Sequence, residues 1–204
     1  MTRSERKLKM AVSAREVKEF RDATGLPMME CKKALLEAGG DVEKAKRLLR
    51  ERGVAVAAKK AARETREGVV GAYVHHNQKV GVLVEVNCES DFVARNEDFK
   101  AFVKDLCMHV AWARPACVRR EDLDPALVQA GREEAEAAAK NSEESDREKA
   151  VETEMEKFYA KHALLEQPFC KDESRTVGQA LKDLIAKIRE NITVRRFVRY
   201  ELGE

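Results

Sequence analysis

The stretch that decides the fold is residues 69–86, which read VVGAYVHHNQKVGVLVEV. Two runs rich in β-branched residues, 69–75 and 79–86, lie on either side of the polar tripeptide His76-Asn77-Gln78. β-Branched side chains favour extended strands, and a short polar link between two such runs is typical of a hairpin. The stretch therefore predicts two antiparallel strands joined by a turn.

Helices and one further strand are predicted after this hairpin. A loop is expected over 87–95, Asn96 is placed to cap a helix that ends near Pro115, and residues 176–190 repeat the same helical spacing. The apolar stripe of the first helix contains Phe99, Phe102, Val103, Leu106 and Val110. The last strand is expected to have one apolar side, interrupted by Arg196, that contains Ile192, Val194, Val198, Tyr200 and Leu202. This order predicts an α+β core domain over 68–204, in which helices cover a small antiparallel sheet.

A strongly acidic segment interrupts the core. Residues 121–156 carry thirteen acidic and four basic side chains, with Pro125 near their start. A charge bias of this kind indicates helices with a largely solvated face. We therefore expect a helical insertion, either an arm or a lid, over about 121–165.

The amino-terminal part has the start and stop signals of three short helices. Ser13 and Glu16 have the spacing of a capping box, and glycines recur where each helical run ends. The residues that start the three helices are Ser13, Pro27 and Asp41, and those that end them are Gly25, Gly39-Gly40 and Gly53. The sequence therefore predicts a helical module over 13–53.

Less regular segments flank this module. Residues 1–12 are basic and lack the apolar core and cleavage site of a secretory signal, so a disordered leader is expected. Residues 54–67 are rich in Ala, Lys and Arg, which predicts a helical or flexible linker.

The composition argues against several classes of protein. The 204 residues carry 39 basic and 37 acidic side chains, a net charge of +2, whereas a dedicated nucleic-acid binder usually has a basic excess. No apolar run approaches the roughly 20 residues that cross a bilayer. The five cysteines are odd in number and form no CxxC pair, so reduced thiols in the cytosol are expected. We therefore expect a soluble, cytoplasmic protein that binds neither membrane nor nucleic acid.

Motifs of catalysis are also missing from the sequence. Neither GxxxxGK[ST] nor GxGxxG follows a predicted strand, so we expect no direct nucleotide binding and no cofactor. His75 and His76 point to opposite faces of a strand, and no two histidines have the i, i+4 spacing of a helical metal site. Cys107 is expected to be a buried structural thiol rather than a nucleophile. The prediction is a protein that is not an enzyme and that has no metal site.

One candidate for partner binding lies on the second predicted helix. Met29 and Lys32 are three residues apart and share an outer face, while Met28 is expected to point inward. Two core methionines beside a solvated lysine pair would give the same pattern.

A second candidate lies just after the second predicted strand. Phe92 is an aromatic side chain in the polar stretch Ser90-Asp91-Phe92-Val93, and such a residue is a candidate anchor. If a helix began at Ser90, however, Phe92 would align with Phe99 and belong to the core. The pattern alone leaves both interpretations open.

Four stretches of the chain resemble the bacterial-type elongation factor Ts family. They read TGLPMMECKKAL at 24–35, EVNCESDFVARN at 85–96, LEQPF at 165–169 and IRENITVRRF at 188–197. They occur in the order that the family has and span nearly all of the chain after Met10. A single core subdomain makes the chain similar to the short form of the family.

The resemblance implies a translation elongation factor that promotes guanine-nucleotide exchange on elongation factor Tu. Its expected partner is elongation factor Tu, both GDP-bound and nucleotide-free. It also implies that the helical module is of ubiquitin-associated type and that Met28, Met29 and Lys32 contact the partner. The short form works as a dimer, so a homodimer is expected by analogy.

The resemblance further implies a role for the second candidate. The family's Thr-Asp-Phe-Val motif maps onto Ser90, Asp91, Phe92 and Val93, with Ser in place of the usual Thr. In the family the Asp-Phe pair inserts beside the magnesium site of the partner. These four residues are therefore expected to promote GDP release by disturbing the partner's magnesium and phosphate site.

Two alternatives remain. A non-catalytic module could recruit a partner through its helices and dimerise through its sheet. An RNA-associated protein using the basic stretch 44–66 is less favoured, because that stretch has no aromatic residues for base stacking.

Overall fold

A computed structural model describes residues 12–141 and 143–203, with Asn141 described by its backbone alone. The expected leader at 1–12 lies outside the described residues, except for Val12. Contacts divide the chain into two compact units. Among the described residues, the first contains 12–64 together with Lys182–Asn191, and the second contains 65–181 together with 192–203.

The first unit contains three helices, α1 (Ala14–Thr24), α2 (Met28–Glu37) and α3 (Val42–Lys60). Both bonds of the predicted capping box form at the start of α1, where the Ser13 hydroxyl accepts from the Glu16 amide and the Glu16 carboxylate accepts from the Ser13 amide. Gly25 ends α1 in the left-handed conformation, with φ of 66°. The three helices share a core that consists of Val17, Phe20, Cys31, Ala34, Leu35, Ala38, Ala45 and Leu49.

The predicted end of the third helix at Gly53 is wrong, because α3 continues to Lys60. Gly53 is helical and lies where a Cβ atom would come within 3.2 Å of the Ala186 Cβ. The missing side chain of Gly53 therefore allows α3 to pack closely against Ala186, and the glycine does not end the helix. The first half of the predicted linker, up to Lys60, is helical. Residues 182–191, predicted to be part of the core domain, have their contacts in the first unit.

The predicted hairpin is present in the second unit. Strands β1 (Glu67–Val74) and β2 (Val80–Cys88) pair antiparallel, with Val69 opposite Val86 and Tyr73 opposite Val82. The turn between them includes Gln78 at φ of 57°. Farther along, a short turn α4 (Asp91–Ala94) precedes α5 (Glu97–Ala113).

Helix α5 packs on the inner face of this sheet. Asn96 caps it by accepting from the amides of Asp98 and Phe99, as the sequence predicted. The five residues of its predicted stripe are all buried. They meet the inward side chains of β2, which are Val82, Val84, Val86 and Cys88. Alternation on β2 therefore places one face of the sheet in the core.

The predicted acidic insertion consists of helices α6 (Pro125–Ala138) and α7 (Arg147–His162), with 3-10 turns at Arg120–Asp122, Ala139–Asn141 and Leu164–Glu166. The two helices pack closely, since a Cβ atom on Gly131 would come within 2.6 Å of the Phe158 ring. The Arg120 guanidinium pairs with Glu156 and Glu166 and lies 4.4 Å from the Tyr159 ring centroid.

The chain then forms the small hairpin of β3 (Pro168–Phe169) and β4 (Asp172–Thr176), followed by α8 (Val177–Ile188) and β5 (Ile192–Glu201). Strand β5 pairs antiparallel with β2, which gives a three-stranded sheet in the order β1-β2-β5.

The prediction of one continuous apolar side on β5 is wrong beyond Val194. Val194 lies opposite Val86, but Arg196 lies opposite the neighbouring Glu85, so one extra residue bulges from β5. A one-residue slip moves all later side chains to the other face. Ile192 and Val194 are therefore buried, whereas the side chains after the bulge that were expected beside them, Val198, Tyr200 and Leu202, are exposed.

Candidate functional site

The segment after β2 forms a helical turn held by two local contacts, in place of the predicted loop. The Ser90 hydroxyl caps α4 by accepting from the Val93 amide at 3.4 Å. The Cys88 thiol, which is fully buried, donates to the Ser90 carbonyl at 3.2 Å. The turn is thus tied to the last residue of the central strand.

This turn places neighbouring side chains in opposite environments. Val93 is 7% exposed and joins the core, whereas Phe92 is 81% exposed. Successive residues of a helix lie about 100° apart, so one turn can bury Val93 and expose Phe92. The alternative left open by the sequence, in which Phe92 is a core residue, is therefore excluded, although a helix does begin next to Ser90.

Asp91 lies beside the exposed ring and is paired. Its Oδ2 is 3.0 Å from Nη2 of Arg95, one turn later, and about half of its side chain is exposed. An exposed pair of this kind contributes little to stability, typically below about 1 kcal/mol, so the carboxylate can be released to another cation at low cost. Asp91 and Phe92 together present a charge and a large apolar ring to solvent.

The second candidate set lies on α2 in the first unit. Met29 is 61% exposed and Lys32 is exposed, as their spacing predicted. Met28 is 44% exposed, so the expectation that it points inward is wrong. The buried stripe of α2 begins one turn later, at Cys31. Leu36, which the sequence analysis did not single out, adds an exposed apolar side chain to the Met29 face.

The outer sheet face is a third exposed surface, and the sequence analysis missed it. We use this name for the outward side chains of the three strands, which are Val70, Ala72, Val74, Leu83, Val198 and Tyr200. Leu83 lies between Ala72 and Val198 across the strands, and an ion pair between Glu85 and Arg196 borders the row. The only sequence signal was Arg196, which interrupts the apolar alternation of the strand, but one charged residue does not by itself reveal a slip in register.

The thiols and the buried imidazole have perturbed pKa values with simple causes. Burial raises the pKa of Cys107 to about 11, and burial followed by the charges of Asp122 and Glu121 raises that of Cys117 to about 11. Such thiols are protonated at neutral pH and are poor nucleophiles. Across residues 12–141 and 143–203, no three or more His, Cys, Asp or Glu side chains are grouped so that they could hold a metal ion.

Within the same ranges, no helix combines the length and the apolar character needed to cross a membrane.

His109 is fully buried and both of its ring nitrogens have partners. Its Nδ1 accepts from the Cys170 amide at 3.3 Å, which leaves Nε2 to donate to the Gln167 side-chain oxygen at 3.0 Å. Burial lowers the pKa of this imidazole, and the Gln167 bond only partly opposes that effect. His109 is therefore a neutral core residue.

Comparison with known proteins identifies the class of this molecule. A family model described as Elongation factor TS matches residues 30–204, which places the chain among the translation elongation factors. The elongation factors Ts of Desulforamulus reducens and Geobacter metallireducens are each 53% identical to it, over 195 and 197 residues. These matches cover 95% and 96% of this chain and 90% and 91% of the relatives.

A third relative, the elongation factor Ts of Thermoanaerobacter pseudethanolicus, is 51% identical over 195 residues, which are 95% of this chain and 96% of the relative. The chain belongs to the elongation factor Ts family. Its part in protein biosynthesis, at the elongation step of translation, follows from this membership.

The His109 environment predicts a pH dependence. The pKa of His109 is lower in the folded than in the unfolded chain. As the pH falls below about 6.5, the unfolded state therefore binds more protons than the folded state and is stabilised relative to it. We expect the free energy of unfolding to decrease from pH 7 to pH 5.5, and ring NMR to find His109 neutral with the proton on Nε2 at pH 6.5. A protonated His109 ring at pH 7 would contradict this assignment.

Proposed function

We propose that this chain is a guanine-nucleotide exchange factor for elongation factor Tu, and that it acts with Ser90, Asp91, Phe92 and Val93. The observation that carries the proposal is the exposed Phe92 ring on a turn that Ser90 caps and Val93 anchors. Because the backbone of the turn is already ordered, only the rotamers of the ring itself become fixed when the side chain enters a partner. In this proposal the ring is inserted into the partner beside its magnesium site.

The physical basis of exchange is electrostatic. In a P-loop GTPase the magnesium ion bridges phosphate oxygens and protein groups, so moving those groups weakens nucleotide binding. Phe92 enters as the wedge, and the neighbouring Asp91 carboxylate is available to cations of the partner when its exposed pair with Arg95 opens. No covalent bond forms or breaks in this process, so the proposed activity is not that of an enzyme, and the chain itself binds no nucleotide and needs no cofactor.

The burial of one aromatic ring can supply only a limited effect on nucleotide affinity. Burying one Phe side chain gains about 1.5 to 3 kcal/mol, which corresponds to roughly a ten- to hundredfold change in nucleotide affinity. A larger effect requires additional contacts. We assign these to Met28, Met29 and Lys32, where exposed apolar and cationic groups lie on one helix.

Linkage fixes one property of the complex. If binding of the chain lowers the affinity of elongation factor Tu for nucleotide by a given factor, bound nucleotide lowers the affinity of elongation factor Tu for the chain by the same factor. The chain therefore binds both the GDP-bound and the nucleotide-free partner, and binds the nucleotide-free form more tightly.

The proposal also includes the site of action, which is the cytoplasm, and the type of the three-helix module, which is ubiquitin-associated.

We also propose a homodimer in which a second copy covers the outer sheet face. That face presents contiguous exposed apolar side chains on three paired strands, and single exposed apolar residues are common but contiguous patches are not. The pair of Glu85 and Arg196 at its border has opposite charges that a two-fold copy can match.

Replacing the ring should slow exchange without unfolding the protein. For Phe92→Ala we expect GDP release from elongation factor Tu, measured with a fluorescent GDP at subsaturating factor, to be slower by about ten- to hundredfold. The thermal melt should change little because the ring is exposed. The ratio of parent to variant rates should shrink when EDTA removes magnesium, since the wedge acts on the magnesium site.

Val93→Ala is the matched control for this experiment. It truncates the buried neighbour on the same turn, so it should lower the melting temperature. If Phe92→Ala promoted GDP release at the parental rate, the proposed role of the Phe92 ring would be refuted.

Lys32 should contribute to docking rather than to the exchange step. We expect Lys32→Ala to raise the concentration of factor needed for half-maximal exchange several-fold, while the rate at saturating factor stays near the parental value. Lys18→Ala changes another exposed lysine, on α1, and is the control, which should change neither quantity. A change in the saturating rate alone would show that docking is not the role of Lys32.

The dimer proposal is tested by a charge in the middle of the outer sheet face. Light scattering should give twice the 23.1 kDa chain mass for the parent and for Phe92→Ala. Leu83→Lys places two like charges in the proposed interface and should give the mass of one chain. A parental chain of single mass at micromolar concentration would exclude the dimer.

The alternative of a passive binding module predicts a different result in the same exchange assay. Such a module would bind elongation factor Tu without changing the rate of GDP release.

A further inference from the structure

The excess positive charge of the first unit lies on one helix. Over 12–64 and 182–191 this unit carries 16 basic and 11 acidic side chains, a net charge of +5. Helix α3 carries seven basic and two acidic side chains, which accounts for all of that excess. The second unit, over 65–181 and 192–203, carries 19 basic and 24 acidic side chains, a net charge of −5. The net charge of +2 for the whole chain therefore conceals two units of opposite sign.

Three basic side chains of α3 follow one another at a spacing of three residues. We call them the cationic ridge, and its members are Lys44, Arg47 and Arg50. Side chains three residues apart are neighbours on a helix surface, with Cβ atoms about 5 to 6 Å apart. All three are exposed, and none forms an ion pair with a residue that the structure describes. Of the two carboxylates on α3, Glu43 is paired with Lys46 at 2.7 Å, and Glu51 lies one turn after Arg47. The ridge therefore offers unpaired cations to an anionic partner.

The surroundings of the cationic ridge favour a partner that is bound through charge alone. An interface with a protein usually has large apolar or aromatic anchors at its centre, and a helix that binds a membrane surface also has an apolar face that enters the lipid. No exposed apolar side chain lies between Lys44 and Arg50, and the exposed Val42 and Val54 lie beyond the two ends of the ridge. A nucleic-acid backbone needs no such anchor, because Lys and Arg contact its phosphates directly. The ridge is therefore better suited to a phosphate backbone than to a protein or a membrane.

We propose that the cationic ridge binds the phosphate backbone of duplex RNA. The lack of aromatic residues over 44–66 argues against stacking on unpaired bases, but duplex RNA is bound mainly through its shape, its phosphates and its 2′-hydroxyls. A duplex also carries twice the charge of a single strand per unit length. RNA is the expected nucleic acid because the family acts at the elongation step of translation, where ribosomal and transfer RNA are the abundant polyanions. Such contacts hold the protein near RNA without reading its sequence.

The test is a fluorescence-anisotropy titration of the full chain against a labelled RNA duplex of about 16 base pairs, without elongation factor Tu. With three phosphates neutralised, the logarithm of the affinity should fall with the logarithm of the salt concentration at a slope of about −2.7, which is roughly a fortyfold loss between about 50 and 200 mM salt. A single strand of the same sequence should bind more weakly. A slope near zero would overturn the proposal, as would tighter binding of the single strand, of polyglutamate or of phosphatidylglycerol vesicles than of the duplex.

Variants test whether the phosphate contacts lie on the cationic ridge. Arg47→Gln should lower the magnitude of the salt slope by about one and weaken binding about tenfold at about 50 mM salt, equally for two duplexes of unrelated sequence. Adding Arg50→Gln should lower the magnitude of the slope by about one more. Lys18→Gln changes an exposed lysine on α1 of the same unit and is the control, which should keep the parental slope and affinity. The thermal melt should change little in each variant because the side chains are exposed. A parental slope in the folded double variant would show that the ridge does not bind the RNA.

Discussion

The hydrogen bond from the Val93 amide to the Ser90 hydroxyl is the contact on which the proposed mechanism depends. It starts a helical turn directly after the central strand, and the fully buried Cys88 thiol ties the same turn to that strand through the Ser90 carbonyl. With Val93 buried, the geometry of one turn leaves Phe92 in solvent. The exposed ring is thus a consequence of local capping and core packing, and the turn that carries it is ordered before any partner is met.

Much of this arrangement was predictable from sequence because it follows from periodicity and capping. The hairpin over 69–86 was predicted from two β-branched runs and the polar link between them. The Asn96 cap and the buried stripe of α5 were predicted from a capping residue and from helical spacing. The direction of Phe92 was not predictable, because a single turn is too short to show a period. Whether it belonged to the core depended on which of its neighbours the sheet buried.

Two other features depended on tertiary contacts that sequence patterns do not contain. Gly53 has the appearance of a helix end, but its lack of a side chain serves close packing against Ala186, and α3 continues to Lys60. The bulge in β5 exchanges the inner and outer faces of the strand, so Val198 and Tyr200 form part of an exposed face. In each case a local rule was overridden by a neighbouring element.

The directions of two of the three candidate residues on α2 were predicted from sequence. Met29 and Lys32 face outward as expected, but Met28 also faces outward.

The most direct measurement of the central claim follows the Phe92 ring itself. With fluorophenylalanine incorporated throughout the chain, the ¹⁹F resonance of Phe92 can be assigned by its loss in Phe92→Leu. Alone, this resonance should show the solvent isotope shift of an exposed ring. On adding nucleotide-free elongation factor Tu it should move and lose that shift, and excess GDP with magnesium should restore it. A Phe92 resonance that stays solvent-exposed in a stable complex would contradict the account.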